Sequence, residues 1–236
     1  MRFQKYHLIE RSVAGEDGDS MKTHVIPAMV KDEQLIARRR RQIIDGAVQL
    51  FIRKGFHKTT TREIARKCNL SIGTMYEYIQ SKEDILYLVC ESIHRKMEEK
   101  IRRVLDEHDS GFEAFVKGFR QLMKVMDEMR SYVLLIYQET KSLPKEKMKI
   151  VMQNEEAITA IFERILEKGI QDGTLQLDVR SIKLLAHNIM VIGQMWTFRY
   201  WSLGRFYTIE EYTEQQLNLL LNQLRPGKSG EVVPDI

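Results

Sequence analysis

The sequence is poor in cysteine, in proline and in long apolar runs, and these shortages exclude several classes of protein. Its two cysteines, Cys68 and Cys90, are too few for a disulfide-stapled secreted fold, and their spacing matches no metal-binding motif. A membrane-spanning helix needs roughly 20 apolar residues. No apolar run here approaches that length, and Tyr132–Tyr137, among the longest, has six residues. The N-terminus lacks the basic-then-apolar order of a signal peptide. We therefore expect a cytoplasmic protein without a membrane segment or a bound metal.

The sequence also lacks the residue patterns of catalysis and of cofactor binding. Its six histidines are scattered, and no His-Glu pair, Ser-His-Asp order or glycine-rich phosphate loop is present. We therefore expect neither catalytic residues nor a cofactor.

The positive charge is concentrated in one short part of the chain. Residues 31–82 contain twelve basic and five acidic side chains, whereas residues 1–30 are neutral and the whole chain carries only +4. Such asymmetry indicates that this segment meets a polyanion and that the rest of the chain does not.

The apolar residues follow the helical period and never a sustained alternation, so we predict an all-α fold of nine helices. It comprises an N-terminal three-helix helix-turn-helix DNA-binding domain and a C-terminal helical domain for ligand binding and dimerisation. The predicted segments are a disordered arm over 1–30, the DNA-binding domain over 31–81, the regulatory domain over 82–225 and a flexible tail over 226–236. Residues 82–107 form a connecting helix in this prediction.

A helix-turn-helix is predicted from the spacing of helix starts. The capping box Thr60-Thr-Arg-Glu63 begins a second helix, a turn follows at Asn69-Leu70, and Ser71 begins a third helix that reaches Ile79. Two short helices joined by such a turn are typical of proteins that read the major groove.

The third helix carries the residues expected to read DNA. Met75 and Ile79 face inward, which leaves Ser71, Ile72, Gly73, Thr74, Tyr76 and Tyr78 toward the groove. The start of the second helix offers free N–H groups to phosphate at Thr60 and Thr61. Salt-dependent attraction is expected from Arg40, Arg41, Arg62 and Lys82. A run such as Arg38–Arg41 is also typical of a solvated helix face, and Tyr76 of a core aromatic.

At these residues the chain resembles the tetracycline-repressor (TetR) family. The matching runs are RQIIDGAVQLFIRKGF over 41–56 and TTTREIARKCNLSIGTMYEYIQSKEDIL over 59–86. The resemblance implies a three-helix DNA-binding domain, a connecting fourth helix and a homodimer through the last two helices. It implies DNA contacts at Thr61, Thr74, Tyr76, Tyr78 and Lys82. Ile79, where the family usually has an aromatic, and Gln80-Ser81 depart from its pattern.

The C-terminal part contains deformable methionines and aromatics that suit a pocket for an apolar effector, although such stripes also form ordinary cores. The predicted pocket residues are Phe115, Phe119, Met123, Met126, Tyr132, Phe162, Met190, Trp196 and Arg199. Arg199 fits an acidic ligand or a salt bridge between subunits. The helix over 179–203 is apolar on two sides, so one side is expected in the dimer interface, with Leu217, Leu220, Leu221 and Leu224 alongside.

These patterns predict a dimeric repressor that binds a palindromic double-stranded operator and is released by a small apolar effector. The resemblance favours an acyl-CoA-like effector. Two alternatives stay open on the sequence: control by a protein partner instead of a small ligand, and activation instead of repression.

Overall fold

The computed structural model describes residues 21–224, and over this range it contains helices and no strand. The all-α prediction and its division into a helix-turn-helix and a helical C-terminal part are confirmed. The nine α-helices of the described range are α1 Glu33–Lys54, α2 Thr61–Lys67, α3 Ile72–Tyr76, α4 Lys82–Arg102, α5 Gly111–Glu128, α6 Arg130–Glu139, α7 Lys145–Gln171, α8 Ile182–Leu203 and α9 Ile209–Leu224. Short 3₁₀ turns follow α6 and precede α8. The tail predicted for 226–236 lies outside the described residues.

The helices begin where side chains cap them. Asp32 accepts the Leu35 N–H at 3.0 Å and begins α1. The capping box of α2 is complete, since Thr60 accepts the Glu63 N–H while Glu63 accepts the Thr60 N–H at 2.9 Å.

Two helices are shorter than predicted. The connecting helix ends at Arg102 and not near residue 107, because the Asp106 and Asp109 side chains accept backbone N–H groups of the following turn. The third helix ends at Tyr76 and not at Ile79, because the chain tightens there into i to i+3 hydrogen bonds.

The chain divides into two compact units, and the division falls within α4 and α7. The first unit contains residues 21–98 and Met129–Ile158, so α6 and the first half of α7 join the helix-turn-helix. Its fully buried side chains include Ile43, Phe51, Ile64, Met75, Ile79 and Ile85. The Cys90 thiol is also fully buried here and hydrogen-bonds to Thr140, and burial raises its pKa to about 12. The domain boundary predicted between residues 81 and 82 stays a prediction.

The second unit contains residues Glu99–Glu128 and 159–224, and in it α5 packs on α8 and α9. Two glycines bring its helices together. A Cβ on Gly193 would lie 2.9 Å from Met126 Cγ, so the small residue allows α8 to approach α5. At the start of α5 a Cβ on Gly111 would lie 2.1 Å from the Gly169 Cα, so two backbones touch there.

Residues 21–30 have no helix but are packed against the first unit. Asn154, fully buried on α7, accepts the Lys22 N–H at 2.8 Å and donates to the Lys22 carbonyl at 3.0 Å. The His24 N–H donates to the Tyr87 hydroxyl at 2.6 Å, and the Met29 N–H to the Glu77 carbonyl at 2.8 Å. The disordered arm predicted for 1–30 therefore does not extend over residues 21–30, while residues 1–20 lie outside the described range.

The Ile26→Ala substitution is expected to lower the free energy of unfolding by about 2 kcal/mol, because it removes a buried aliphatic side chain that is only 3% exposed. The control is Met29→Ala in the same segment, where the side chain is 73% exposed and the expected change is within about 0.5 kcal/mol. Urea unfolding followed by circular dichroism measures both. Equal stabilities for the two variants would show that the segment does not pack as described.

Candidate nucleic-acid interface

The helix-turn-helix is formed by α2, α3 and a tight turn between them. Asn69 adopts a left-handed conformation with φ of 52°, which asparagine tolerates better than most residues. The Leu70 N–H then closes the turn on the Ala65 carbonyl at 2.9 Å. Ser71 begins α3 by accepting the Thr74 N–H at 3.0 Å. The recognition helix therefore starts at a fixed angle to α2.

One face of α3 is anchored in the core and the other is open to solvent. Met75 and Ile79 are fully buried, whereas Ser71, Ile72 and Gly73 are exposed. Tyr76 keeps 37% of its surface exposed, so it is not a core aromatic. We name Ser71–Thr74 and Tyr76 the reading face; Thr74 is half-buried and the others are exposed.

Tyr76 joins the reading face to the start of α2. Its hydroxyl donates to Thr61 Oγ1 at 3.4 Å, which places an aromatic arm beside the helix N-terminus. N–H groups at a helix start that have no partner within the helix favour phosphate. Thr61 and Tyr76 thus hold two hydroxyl groups next to each other at this helix start. Thr60 is used differently, because its hydroxyl belongs to the capping box with Glu63.

A carboxylate and two lysines fix the surroundings of this helix start. The Lys54 ammonium and the Thr60 N–H together lower the pKa of Glu63 to about 2, so the capping carboxylate stays ionised. Lys82 donates to the carbonyls of Phe56 and Thr59 at 3.1 and 3.2 Å and lies 4.2 Å from the Phe56 ring centre. An ammonium has three N–H donors, so a further donor remains for a phosphate.

The structure does not bring Arg40 and Tyr78 to the reading face. Arg40 Nε donates to the Tyr78 carbonyl at 3.0 Å, and its Nη2 donates to the Ile26 carbonyl. Burial lowers the pKa of this guanidinium below its usual value. Tyr78 itself is buried. Both residues hold the end of α3 to the rest of the first unit, while Arg41 is exposed on α1.

The residues predicted to line an effector pocket are only partly brought together. Seven lie buried in the core of the second unit, namely Phe115, Phe119, Met123, Met126, Phe162, Met190 and Trp196. Arg199 is exposed and lies 5.2 Å from the Trp201 ring centre. Tyr132 belongs to the first unit, where it lines a cavity of about 280 Å³ between α1 and α4.

Sequence reasoning missed the polar groups inside the second unit. The Trp196 indole N–H donates to Asp127 Oδ1 at 2.9 Å, and the Thr197 hydroxyl donates to the Met126 carbonyl at 3.3 Å. The Tyr212 hydroxyl donates to the Ile192 carbonyl at 2.7 Å. Each lies inside an apolar helical pattern, and only the tertiary contact shows its partner.

The surface of α8 carries an exposed apolar stripe. Leu184, Val191 and Phe198 recur every seven residues and are exposed, although they lie on a helix whose other side is buried. The leucines of α9 are placed differently from the prediction. Leu217, Leu220, Leu221 and Leu224 are buried within the chain's own second unit, so they are not free to face another subunit.

Residues 21–224 include no helix long and apolar enough to cross a membrane. Within the same range, no three His, Cys, Asp or Glu side chains are grouped so that they could hold a metal ion.

Two family models match the chain, and both belong to the same family. The model described as "Bacterial regulatory proteins, tetR family" matches residues 43–87, which contain the helix-turn-helix. The model described as "Tetracyclin repressor-like, C-terminal domain" matches residues 108–224.

Curated relatives are named as transcriptional regulators. The HTH-type transcriptional regulator HbdR of Aromatoleum sp. (strain CIB) is 28% identical over 212 residues, which are 89% of this chain and 91% of that protein. The fatty acid metabolism regulator protein of Bacillus subtilis (strain 168) is 25% identical over 141 residues, which are 59% of this chain and 73% of that protein.

Solved structures share the fold. A tetR-family regulatory protein from Rhodococcus RHA1 superposes with a TM-score of 0.68 at 22% identity, covering 79% of this chain and 97% of that one. AibR, solved with isovaleryl coenzyme A and operator DNA, gives a TM-score of 0.64 at 18% identity, covering 77% and 97%. This chain belongs to the tetR family of bacterial DNA-binding transcriptional regulators.

Proposed function

We propose that this chain is a homodimeric repressor that binds a palindromic operator and is released by a small apolar effector of the acyl-CoA type. The reading face is the observation that carries the proposal. Ile72 and Tyr76 are apolar or aromatic side chains left exposed on a short helix whose opposite side is anchored in the core. Tyrosine and threonine hydroxyls there match phosphate and base-edge acceptors, and the Thr74 methyl matches a thymine methyl.

The exposed stripe on α8 supports the homodimer. Large apolar side chains at positions 184, 191 and 198 lose contact with water when a second copy covers them. A two-fold pair of recognition helices also suits DNA, because half-sites are read about 34–36 Å apart along the duplex. We propose that α8 supplies most of this interface, since the α9 leucines are already buried within one chain.

The effector class is supported by the second unit and by the relatives. Its core holds Met123, Met126 and Met190 beside Phe119 and Trp196, and such deformable side chains can repack around an apolar chain. One relative is named a fatty acid metabolism regulator, and AibR was solved with an acyl-coenzyme A and operator DNA. Binding of the effector to a conformation with another spacing of the recognition helices would lower operator affinity.

Fluorescence anisotropy with duplexes that tile the upstream region of its own gene tests the proposal. We expect one palindromic segment to bind two chains, or a multiple of two, and short- or medium-chain acyl-CoA to release it. The Tyr76→Phe substitution is expected to weaken operator binding about tenfold, because it removes one hydrogen bond from the reading face to DNA and leaves the aromatic ring in place. The matched control is Tyr137→Phe on α6, which removes the hydroxyl of a similarly exposed tyrosine outside that face.

The outcomes separate the parts of the proposal. Operator binding that ignores every acyl-CoA contradicts the effector and favours control by a protein partner. A single chain per site contradicts the homodimer. If no duplex is preferred over random DNA, the operator-binding function is wrong.

A further inference from the structure

Residues 21–30, which we name the strap, connect α7 to the end of the recognition helix. At one end of the strap, the fully buried Asn154 of α7 uses both polar atoms of its amide on the Lys22 backbone. At the other end, the Met29 N–H donates to the Glu77 carbonyl at 2.8 Å, one residue beyond α3. All of these residues belong to the first unit. A segment that precedes α1 in the sequence therefore reaches the residues that follow the DNA-reading helix.

Two further side chains bind the strap through its backbone. The hydroxyl of Tyr87, a fully buried residue of α4, accepts the His24 N–H at 2.6 Å. Arg40 of α1 donates from Nη2 to the Ile26 carbonyl, and the Ile26 side chain is buried. Three helices, α1, α4 and α7, therefore hold the strap at separate points along its backbone.

The end of the recognition helix depends on partners that lie outside the helix-turn-helix. The last carbonyls of a helix have no partner within it, and α3 has only five residues. The Glu77 carbonyl accepts the Met29 N–H of the strap. The Tyr78 carbonyl accepts Arg40 Nε at 3.0 Å, and the same guanidinium holds the Ile26 carbonyl. Both bonds therefore tie the end of α3 to the strap.

We propose that the strap orients the recognition helix for DNA, and that Asn154 and Tyr87 are positioning residues that act through it. The inference rests on the proposed operator binding and deepens it, because it names what sets the orientation of the reading face. When the strap leaves its site, α3 keeps its cap at Ser71 but loses the bonds at its other end. Ordering the helix again at the moment of binding would then lower operator affinity.

Hydrogen exchange of the full chain, followed by mass spectrometry, tests the hold of the strap without DNA. Asn154→Leu removes both hydrogen bonds to Lys22, and Tyr87→Phe removes the one to His24. In both variants we expect the amides of residues 72–79 to exchange about tenfold faster, while those of α2 keep the parental rate.

Thr23→Ala is the matched control, because it changes an exposed side chain of the strap and leaves the bound backbone groups in place. It should keep the parental exchange rates in both helices. Parental rates over residues 72–79 in both Asn154→Leu and Tyr87→Phe would overturn the proposal. Equal acceleration in α2 would also overturn it, because a general loss of stability affects both helices alike.

The consequence for DNA is measured as the ratio of affinities for the operator and for random DNA. Asn154→Leu and Tyr87→Phe should lower this ratio about tenfold, because base contacts need one orientation of α3 while random DNA is held mainly by charge. A variant that only unfolds more readily would weaken both affinities equally, and an unchanged ratio would contradict the positioning role. Failure of the operator function is distinguishable, since the exchange rates decide whether the strap holds α3 even if no duplex is preferred.

Discussion

The Gly111→Ala variant should unfold at a much lower urea concentration than the parent chain. The added Cβ would lie 2.1 Å from the Gly169 Cα and 2.2 Å from its nitrogen, and a backbone cannot move aside as a side-chain tip can. The Gly111 N–H also donates to Asp172 Oδ2 at 2.7 Å, so a shift of α5 would break that bond. We expect the free energy of unfolding to fall by about 3 kcal/mol, at the upper end of the usual cost of overpacking.

Gly118→Ala on the same helix is the matched control. Its Cβ would meet only side-chain atoms, the nearest being Ile165 Cδ1 at 3.3 Å, and alanine favours the helix by up to about 1 kcal/mol over glycine. The two variants should therefore differ by about 3–4 kcal/mol, the sum of these effects. Similar urea midpoints for the two variants would mean that α5 and α7 do not cross at Gly111 and Gly169.

The Lys147→Met variant should lose about 3 kcal/mol of stability at pH 7. Lys147 of α7 forms a largely buried ion pair with Asp84 at the start of α4. Asp84 also accepts the Gln80 and Ser81 N–H groups at 2.8 Å and is almost fully buried. Removing the ammonium leaves a buried carboxylate without its counter-charge, which typically costs about 3–5 kcal/mol. Lys149→Met, an exposed lysine of the same helix, should change stability by less than about 0.5 kcal/mol.

The loss of stability caused by Lys147→Met should become smaller as the pH falls. Burial alone raises the pKa of Asp84, but the Lys147 ammonium and the two backbone N–H groups outweigh it and hold the pKa below its usual value. A depressed pKa adds stability above the unfolded-state pKa of about 4, and this stability is lost as the pH falls through the folded-state pKa. In the variant the buried Asp84 lacks this counter-charge and takes up a proton at a higher pH than in the parent. The stability difference between parent and variant should thus be largest at neutral pH and shrink as the pH falls to the folded-state pKa of Asp84 in the parent. A difference that grows on acidification would contradict the ion pair.

Local signals in the sequence were sufficient to predict the helix starts. Thr60 and Glu63 form the predicted capping box, and Ser71 begins the third helix as predicted. The helix ends were harder, because the side chains of Asp106 and Asp109 compete with the backbone only once the turn has formed. The helical spacing of apolar residues continues through such a turn, so a prediction from that spacing overestimates the length of the helix.

Side-chain partners were the part that the sequence could not show. Arg40 belongs to a basic run, yet its partner is the carbonyl of Tyr78, 38 residues away. The α9 leucines form a stripe that suits either a second subunit or α5, and the pattern is the same for both.

Because both cysteines are buried, the native thiols of the folded chain should react slowly with thiol reagents. Cys90 is fully buried with a raised pKa, and burial also raises the pKa of Cys68, so neither presents a thiolate at neutral pH. A cysteine introduced at an exposed position outside the proposed DNA and dimer surfaces, such as Lys149→Cys on α7 or Lys96→Cys on α4, would therefore react far faster than the native pair. Dyes or spin labels can be attached there without first removing the native thiols. In the proposed homodimer, the distance between the two labels could then be followed directly as DNA or acyl-CoA is added.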